Sequence, residues 1–291
     1  MHYVYVVNRF NLRDRTDEVM QKLIRASEEA GRDYEILLNE TPEEAGRAME
    51  KFRDTAHVIT AIGGDGTINR VLNDIAGTKN VLSCIPCGTG NDFCRALAEK
   101  MEDGIHEVDI VRINDRYFIN AACFGIDADI ANDDSYIHNR FIPRKLRFPV
   151  GAVAHFLAFR GGRKLRVELG DETVEKEFTT VIAANSRYYG GGFNVSPESR
   201  IDDGKMEVLL ADGMPKLKMA RTILSMKNAG HLHNPSVRII STDRLAITSP
   251  VPVSANIDGE PLAAERFDIE LIPRGIRLEV NREFSAKTGS V

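Results

Sequence analysis

Two glycine-rich stretches each follow an apolar run: Gly63-Gly64-Asp65-Gly66-Thr67 after Val58-Ile59-Thr60-Ala61-Ile62, and Gly88-Thr89-Gly90-Asn91-Asp92 after Val81-Leu82-Ser83-Cys84-Ile85. Behind the first, Ile68, Val71, Leu72 and Ile75 recur at helical spacing, and Gly77 offers a helix end. The order strand, glycine turn, helix aims backbone N–H groups at a phosphate, where the helix dipole also favours negative charge. Alone, Gly63 to Thr67 reads equally well as a tight turn with Asp65 as a capping residue. Two polar glycine loops after neighbouring strands are harder to explain as turns, and together they suit the phosphates and sugar of a nucleotide.

Phosphoryl transfer needs phosphate placement, a divalent cation to offset charge, and a group that orients or deprotonates the nucleophile. The chain has no Walker A lysine pattern and no His-Arg-Asp sequence. Asp65, set between glycines, is the first candidate carboxylate. The second is distant in sequence, in Ile257-Asp258-Gly259-Glu260-Pro261, where the plain alternative is an Asp-Gly hairpin turn with Glu260 in solvent. A third acidic stretch, Arg200-Ile201-Asp202-Asp203-Gly204-Lys205, is on its own terms a charged turn.

These residues need elements to hold them. Residues 2–7 read as a buried strand, 15–30 as a helix, Tyr34 to Leu38 as a second strand, and 42–54 as a helix capped by a Thr41/Glu44 box. Strands at 57–62 and 81–85 lead into the two glycine loops. Alternating strands and helices predict an α/β layer with a mostly parallel sheet. From about residue 105 the pattern changes to short strands, with a hairpin turn at Asn114-Asp115. Further strands are expected at 164–169, 177–184, 206–211, 237–240, 244–248 and 267–272, and helices near 146–160 and 215–229. The expected organisation is an α/β unit over 1–105 and a larger, mainly antiparallel β-sandwich over 106–291, with the active site in the cleft between them. Both glycine loops belong on the rim beyond the carboxyl ends of the parallel strands.

The chain has 291 residues, 43% apolar and 28% charged, with a net charge of -5, which argues against disorder and gives no reason to expect nucleic-acid binding. No uninterrupted apolar stretch approaches membrane-spanning length, and the first residues lack the features of a signal peptide. A cytoplasmic chain is expected. Cys84 and Cys87 have metal-ligand spacing, but no second pair completes a zinc site, so reduced thiols are expected at all four cysteines.

Five stretches carry a resemblance. They are GGDGTINRVLNDIAG at 63–77, PCGTGNDFCRAL at 86–97, FGIDADIA at 124–131, NSRYYGGGFNVSPESRIDDGKMEVLLADG at 185–213 and NIDGEPL at 256–262. In this order the chain resembles the bacterial diacylglycerol kinase-like lipid kinases, related to sphingosine kinases and more distantly to NAD kinases. The GGDGT element marks only the superfamily; the second and fourth stretches favour lipid kinases. The resemblance implies ATP in the cleft, bound by Gly63, Gly64, Asp65, Gly66, Thr67, Asn69 and Thr89, and more loosely by Asn8 and Thr41. It implies Glu260 as general base toward a lipid hydroxyl, with Asp65 assisting through Mg²⁺ or the phosphates. It also implies a structural Mg²⁺ site on the Asp203 carboxylate and main-chain carbonyls of Arg200 and Lys205. Oxygen ligands and retained water suit that ion.

The chain departs from the family in two places. The loop after the first strand, Asn8-Arg9-Phe10-Asn11-Leu12, lacks the family's glycine, and Arg70 stands where an acidic residue often follows Asn69. Residues 140–164 mix Arg140, Arg144, Lys145 and Arg147 with Phe141, Phe148 and Phe156, which suits either a peripheral membrane contact or a helix packing its phenylalanines inward. The expected partner is a lipid at a membrane surface, and relatives suggest a homodimer. The competing functional readings are an NAD kinase-like enzyme and a non-catalytic nucleotide- or lipid-binding regulator.

Overall fold

A computed structural model describes residues 1–12, 15–88, 90–132, 155, 156, 158, 159 and 162–288. The chain begins with strand β1 (His2–Asn8), the short helix α1 (Arg9–Leu12), α2 (Thr16–Glu29), β2 (Asp33–Asn39), α3 (Pro42–Met49), β3 (Val58–Gly63), α4 (Asp65–Ile75), β4 (Val81–Pro86) and α5 (Asp92–Lys100). The four strands run parallel in the order β2-β1-β3-β4. All six residues of β3 are buried, as expected of a central parallel strand with both faces covered.

Alternation along these strands separates two cores. Val4, Val6, Ile59 and Ala61 face Ile68, Val71 and Leu72 of α4, while Tyr5, Val7 and Ile62 face Val19 and Leu23 of α2. The capping box at α3 forms: Thr41 Oγ1 accepts from Glu44 N at 3.3 Å and Glu44 Oε2 accepts from Thr41 N at 3.3 Å.

The second half is antiparallel. Strands β5 (Gly104–Ile113), β6 (Arg116–Phe118) and β7 (Ala121–Gly125) precede α6 (Ile126–Ala131). Then come β8 (Arg163–Leu169), β9 (Glu172–Ala184), the small hairpin β10 (Tyr188–Tyr189) and β11 (Phe193–Asn194), β12 (Met206–Asp212), α7 (Lys216–Ser225) and β13 (Val237–Thr242). Two long strands, β14 (Arg244–Ile257) and β15 (Glu260–Val280), precede the final helix α8 (Arg282–Thr288). The sandwich core lies among Val111, Phe124, Phe178, Val208, Ile247 and Phe267, with the Phe124 and Phe267 rings edge to face at 4.9 Å. Another apolar cluster joins α6 and α7 to β7, β9 and β12.

Prolines shape the two long strands. The register of β14 against β15 slips between Thr248 and Val253, where Pro250 and Pro252 remove ladder donors. A second slip, between Ile272 and Ile276, contains Pro273 and an Arg274 in the left-handed region. Beyond it β15 leaves the sandwich: Arg277 to Glu279 run parallel to β4, and Phe284 of α8 stacks on Tyr5 at 6.1 Å. The sequence reading ended its last strand at 272, so it lacked this return. β7 and the strand residues 253–257 and 260–264 are further additions, although the Asp-Gly hairpin turn between the latter two is one the sequence offers.

Most of the expected helix at 146–160, and the basic and aromatic residues Arg140 to Arg147, lie outside the described residues. No helix among the described residues is long and apolar enough to cross a membrane.

Candidate active site

The parallel registers place Asn8, Asn39, Gly63 and Pro86 at the carboxyl ends of their strands, on one rim of the sheet. Thr41, one turn beyond β2, sits at the same rim and spends its hydroxyl on the α3 cap. Thr89, expected from the second loop, lies outside the described residues.

The two glycine loops touch. A Cβ on Gly88 would lie 2.5 Å from the Cα of Gly64, and one on Gly64 would lie 3.3 Å from the Cα of Gly88. Only hydrogen at Gly88 allows this approach, and a methyl group at Gly64 would be tight. Gly64 ends the turn in extended backbone, and α4 starts at Asp65, with Thr67 N and Ile68 N donating to the Gly64 carbonyl. A Cβ at Gly63 would collide with the Thr67 side chain, which is itself buried. In the second loop Asn91 adopts a left-handed conformation, and its side-chain amide closes a ring with Gly88, accepting at 3.0 Å and donating at 2.9 Å.

Asp65 couples the loops. Its carboxylate accepts from Asp92 N at 3.2 Å and Phe93 N at 3.1 Å, so it satisfies the first amides of α5 rather than capping its own helix. The adjacent Asp92 is buried, and burial raises its carboxyl above the usual range while a Gly191 N–H at 2.7 Å pulls it back. Through that bond the β10–β11 hairpin closes over the second loop. Sequence reasoning missed Asp92 as a site residue, although it stands inside the quoted GTGNDF stretch. It also missed Arg15, whose guanidinium donates to the Cys87 carbonyl at 3.0 Å.

Asp258 and Glu260 come from the turn between β14 and β15. Asp258 and Gly259 both have positive φ, at 48° and 96°, and Ile257 pairs with Glu260, so the tight Asp-Gly hairpin forms. It is also part of the site. Asp258 is buried, and its oxygens accept from Asn69 Nδ2 at 3.1 Å and from the amides of Ile119, Asn120 and Ala121 at 2.8–3.1 Å. Burial pushes its carboxyl up to about 6 against the pull of these donors. Asn69 is buried too, donating to both Asp258 and the Tyr117 carbonyl, and so ties α4 to the sandwich.

Glu260 faces the first glycine loop: a Cβ on Gly66 would lie 3.1 Å from its Oε1. Arg70, one turn along α4, grips it with two bonds, Nε to Oε1 at 3.0 Å and Nη2 to Oε2 at 2.8 Å. The reversed charge at position 70 therefore faces neither solvent alone nor the nucleotide loop. It forms a bidentate pair with the candidate base, 190 residues away in sequence.

The Arg200–Lys205 turn is anchored by Asp109, which accepts from Gly204 N at 2.7 Å and Arg274 N at 2.8 Å. Arg200 engages Asp202 at 3.1 Å, while Asp203 is exposed and accepts from Lys205 N at 3.1 Å. The described residues hold no cluster of three His, Cys, Asp or Glu side chains for a metal. One carboxylate with main-chain carbonyls fits only a hard cation that keeps much of its water. Elsewhere, Cys84 and Cys94 are free thiols with sulfurs 3.2 Å apart.

Comparisons with known proteins agree with this architecture. Residues 2–116 match the diacylglycerol kinase catalytic domain, and residues 120–280 match the YegS C-terminal NAD kinase beta sandwich-like domain. A diacylglycerol kinase of Staphylococcus saprophyticus is 27% identical over 263 residues, covering 84% of this chain and 82% of its own. A "probable lipid kinase YegS-like" protein of Cronobacter sakazakii is 26% identical over 283 residues, covering 90% and 91%. A diacylglycerol kinase structure from Bacillus anthracis superposes with a TM-score of 0.70 over 97% of this chain and 98% of its own, at 17% identity, which shows a shared fold. With both halves matched in order, the chain belongs to the family of diacylglycerol kinases and YegS-like lipid kinases.

Proposed function

We propose that this protein transfers the γ-phosphoryl group of ATP to a hydroxyl of diacylglycerol or a related amphipathic alcohol. The observation that carries this reading is the convergence of the Gly64–Gly88 contact, at the N-terminus of α4, with Glu260 set against Gly66. In this reading residues 1–105 hold the nucleotide and residues 106–291 present the lipid. Gly63, Gly64, Gly66 and Thr67 surround the phosphates, where the first amides of α4 meet negative charge. Asn8 and Thr41 stand on the same rim, and Thr89 is assigned to the nucleotide by the family motif alone. Asn69, tied to Asp258, fixes the angle of α4 to the sandwich. Asp65 holds the second loop closed against the first and stands beside the phosphates.

Glu260 accepts the proton of the attacking hydroxyl. A carboxylate held by a guanidinium on both oxygens is fixed in its plane, and each oxygen keeps a second lone pair with which it can accept the proton. Mg²⁺, when bound, supplies charge compensation for the phosphates. A structural Mg²⁺, if bound, would be held by the Asp203 carboxylate with the carbonyls of Arg200 and Lys205, and would stiffen a turn already anchored by Asp109.

The test is incubation with labelled ATP and a panel of diacylglycerols, monoacylglycerols and sphingoid bases, with NAD in parallel. Label in a lipid phosphate supports the reading, and label in NADP overturns it. Glu260→Gln keeps the side-chain volume and is expected to lower kcat by about 10²–10⁴-fold with little change in ATP affinity. Near wild-type turnover by this variant removes Glu260 from the base role. The Arg70–Glu260 pair favours one second reading, a nucleotide-binding member with its base clamped. ATP binding without turnover on any lipid supports that alternative.

A further inference from the structure

Helix α7 turns two different faces to its surroundings. Met219 and Thr222 are buried against the sandwich, followed by Met226, whereas Leu217 and Leu224 are 66% and 68% exposed. At about 100° per residue, Leu217, Arg221 and Leu224 fall within an arc of about 60°, with Lys216 and Lys218 about 100° to either side. Leu232, in the turn that follows, is 45% exposed. Surface helices ordinarily direct leucines inward and charges outward. Here leucines and cations share the outward side.

Charge is segregated as well. From Gly213 to Thr242 there is no Asp or Glu, in a chain that carries 43 of them, while Lys216, Lys218, Arg221, Lys227 and Arg238 lie in this stretch, the last paired with Glu172 of β9. A single exposed leucine is unremarkable. Three beside basic residues, with no acidic side chain in that stretch and on a chain of net charge -5, form a surface suited to an apolar layer under an anionic one.

We propose that the outer face of α7, with Leu217, Leu224 and Leu232 as its apolar points and Arg221 and Lys227 among its cations, docks the protein on an anionic lipid bilayer. Amphipathic helices that lie in a membrane interface place leucine below the headgroups and Lys or Arg at their level.

The position of this ridge on α7 relates it to the candidate site. The turn after α7, Met226–Asn228, packs on β11, and Lys227 Nζ lies 5.8 Å from the centre of the Phe193 ring. The other side of that hairpin reaches the second glycine loop through Gly191 N and Asp92 Oδ2. One small hairpin thus separates the bilayer-facing ridge from the nucleotide rim. The inference rests on the lipid-kinase reading only in supposing that the substrate resides in a bilayer.

The test is co-sedimentation of the full chain with vesicles of phosphatidylcholine containing phosphatidylglycerol, against vesicles of phosphatidylcholine alone. Wild-type protein is expected to bind the anionic vesicles and to lose affinity as salt rises. Leu217→Gln/Leu224→Gln, chosen because glutamine keeps helix propensity, is expected to weaken binding by on the order of tenfold or more. The same variant retains its melting temperature and its turnover on a short-chain, water-soluble substrate. Equal sedimentation of variant and wild type overturns the proposal. So does a wild-type dimer that the double variant converts to monomer, which would make the ridge an interface between copies. Vesicle binding is measured without turnover: binding with no lipid phosphorylated leaves the surface standing and removes the kinase reading.

Discussion

Glu260 is the candidate base, and its immediate partner is Arg70. The pair is partly exposed, with side-chain accessibilities of 25% and 41%, so it adds little to stability; exposed pairs contribute about 0–1 kcal/mol. Its consequence is orientation. A fork of two N–H groups fixes the plane of the carboxylate beside Gly66, and lysine, a point charge, does not reproduce that geometry. Arg70→Ala is therefore expected to lower kcat on the order of tenfold while the melting temperature stays within a few degrees, with Arg70→Lys recovering only part. Steady-state kinetics beside a thermal melt check this. A rise in kcat on removing Arg70 would mark the pair as an inhibitory clasp instead.

Among the elements, the decisive contact is between two turns. β3 and β4 are parallel neighbours, so the loops leaving them emerge side by side on one rim, and the mutual fit of Gly64 and Gly88 draws them together. A methyl group on Gly88 would meet main-chain atoms of Gly64, which have no side-chain freedom with which to yield. Gly88→Ala is expected to part the loops and weaken ATP binding by tenfold or more, with a smaller effect on global stability, as read by calorimetric titration and denaturant melts. Unchanged ATP affinity would move the nucleotide away from this rim. The two strand–glycine–helix units were legible in the sequence because each is a local pattern of apolar run, small residues and helical periodicity. Their contact was not, because it depends on which strands lie side by side.

For the molecule as a whole, the sandwich and the parallel sheet share a strand. β15 starts at the Asp258–Gly259 turn, crosses the sandwich, and ends parallel to β4, so the candidate base and the edge of the parallel sheet lie on one continuous element. The sandwich also holds a carboxyl that loses its proton late. Asp127, at the start of α6, is half-buried; desolvation raises its carboxyl to about 6, against the pull of the Thr180 hydroxyl and its own helix amides. An unfolded Asp titrates near about 3.9. The native fold therefore binds this proton more tightly, a contribution complete below about pH 4 and lost as pH rises through about 6. Asp127→Asn keeps an oxygen for Thr180 and cannot ionise. It is expected to match wild type near pH 4 and to exceed it by ~2–3 kcal/mol at pH 8, measured by urea unfolding across that range. A constant difference across that range would exclude Asp127 as the source.

By itself the sequence determined what is local. Glycines between an apolar strand and an amphipathic helix specify a phosphate turn through backbone geometry alone, and family-ordered motifs tie that turn to lipid kinases. The change from helical to alternating periodicity near residue 105 signals an α/β layer followed by a β-rich part for the same reason. Tertiary structure decided everything that joins distant residues. Asp258 looks like a turn aspartate until α4 and the β6–β7 connection bring four N–H groups to it. Arg70 looks like a solvated charge until the β14–β15 hairpin delivers Glu260 to it. Neither pairing has a signature in spacing, because strand order and the bends at Pro250–Pro252 and Pro273 set which side chains meet.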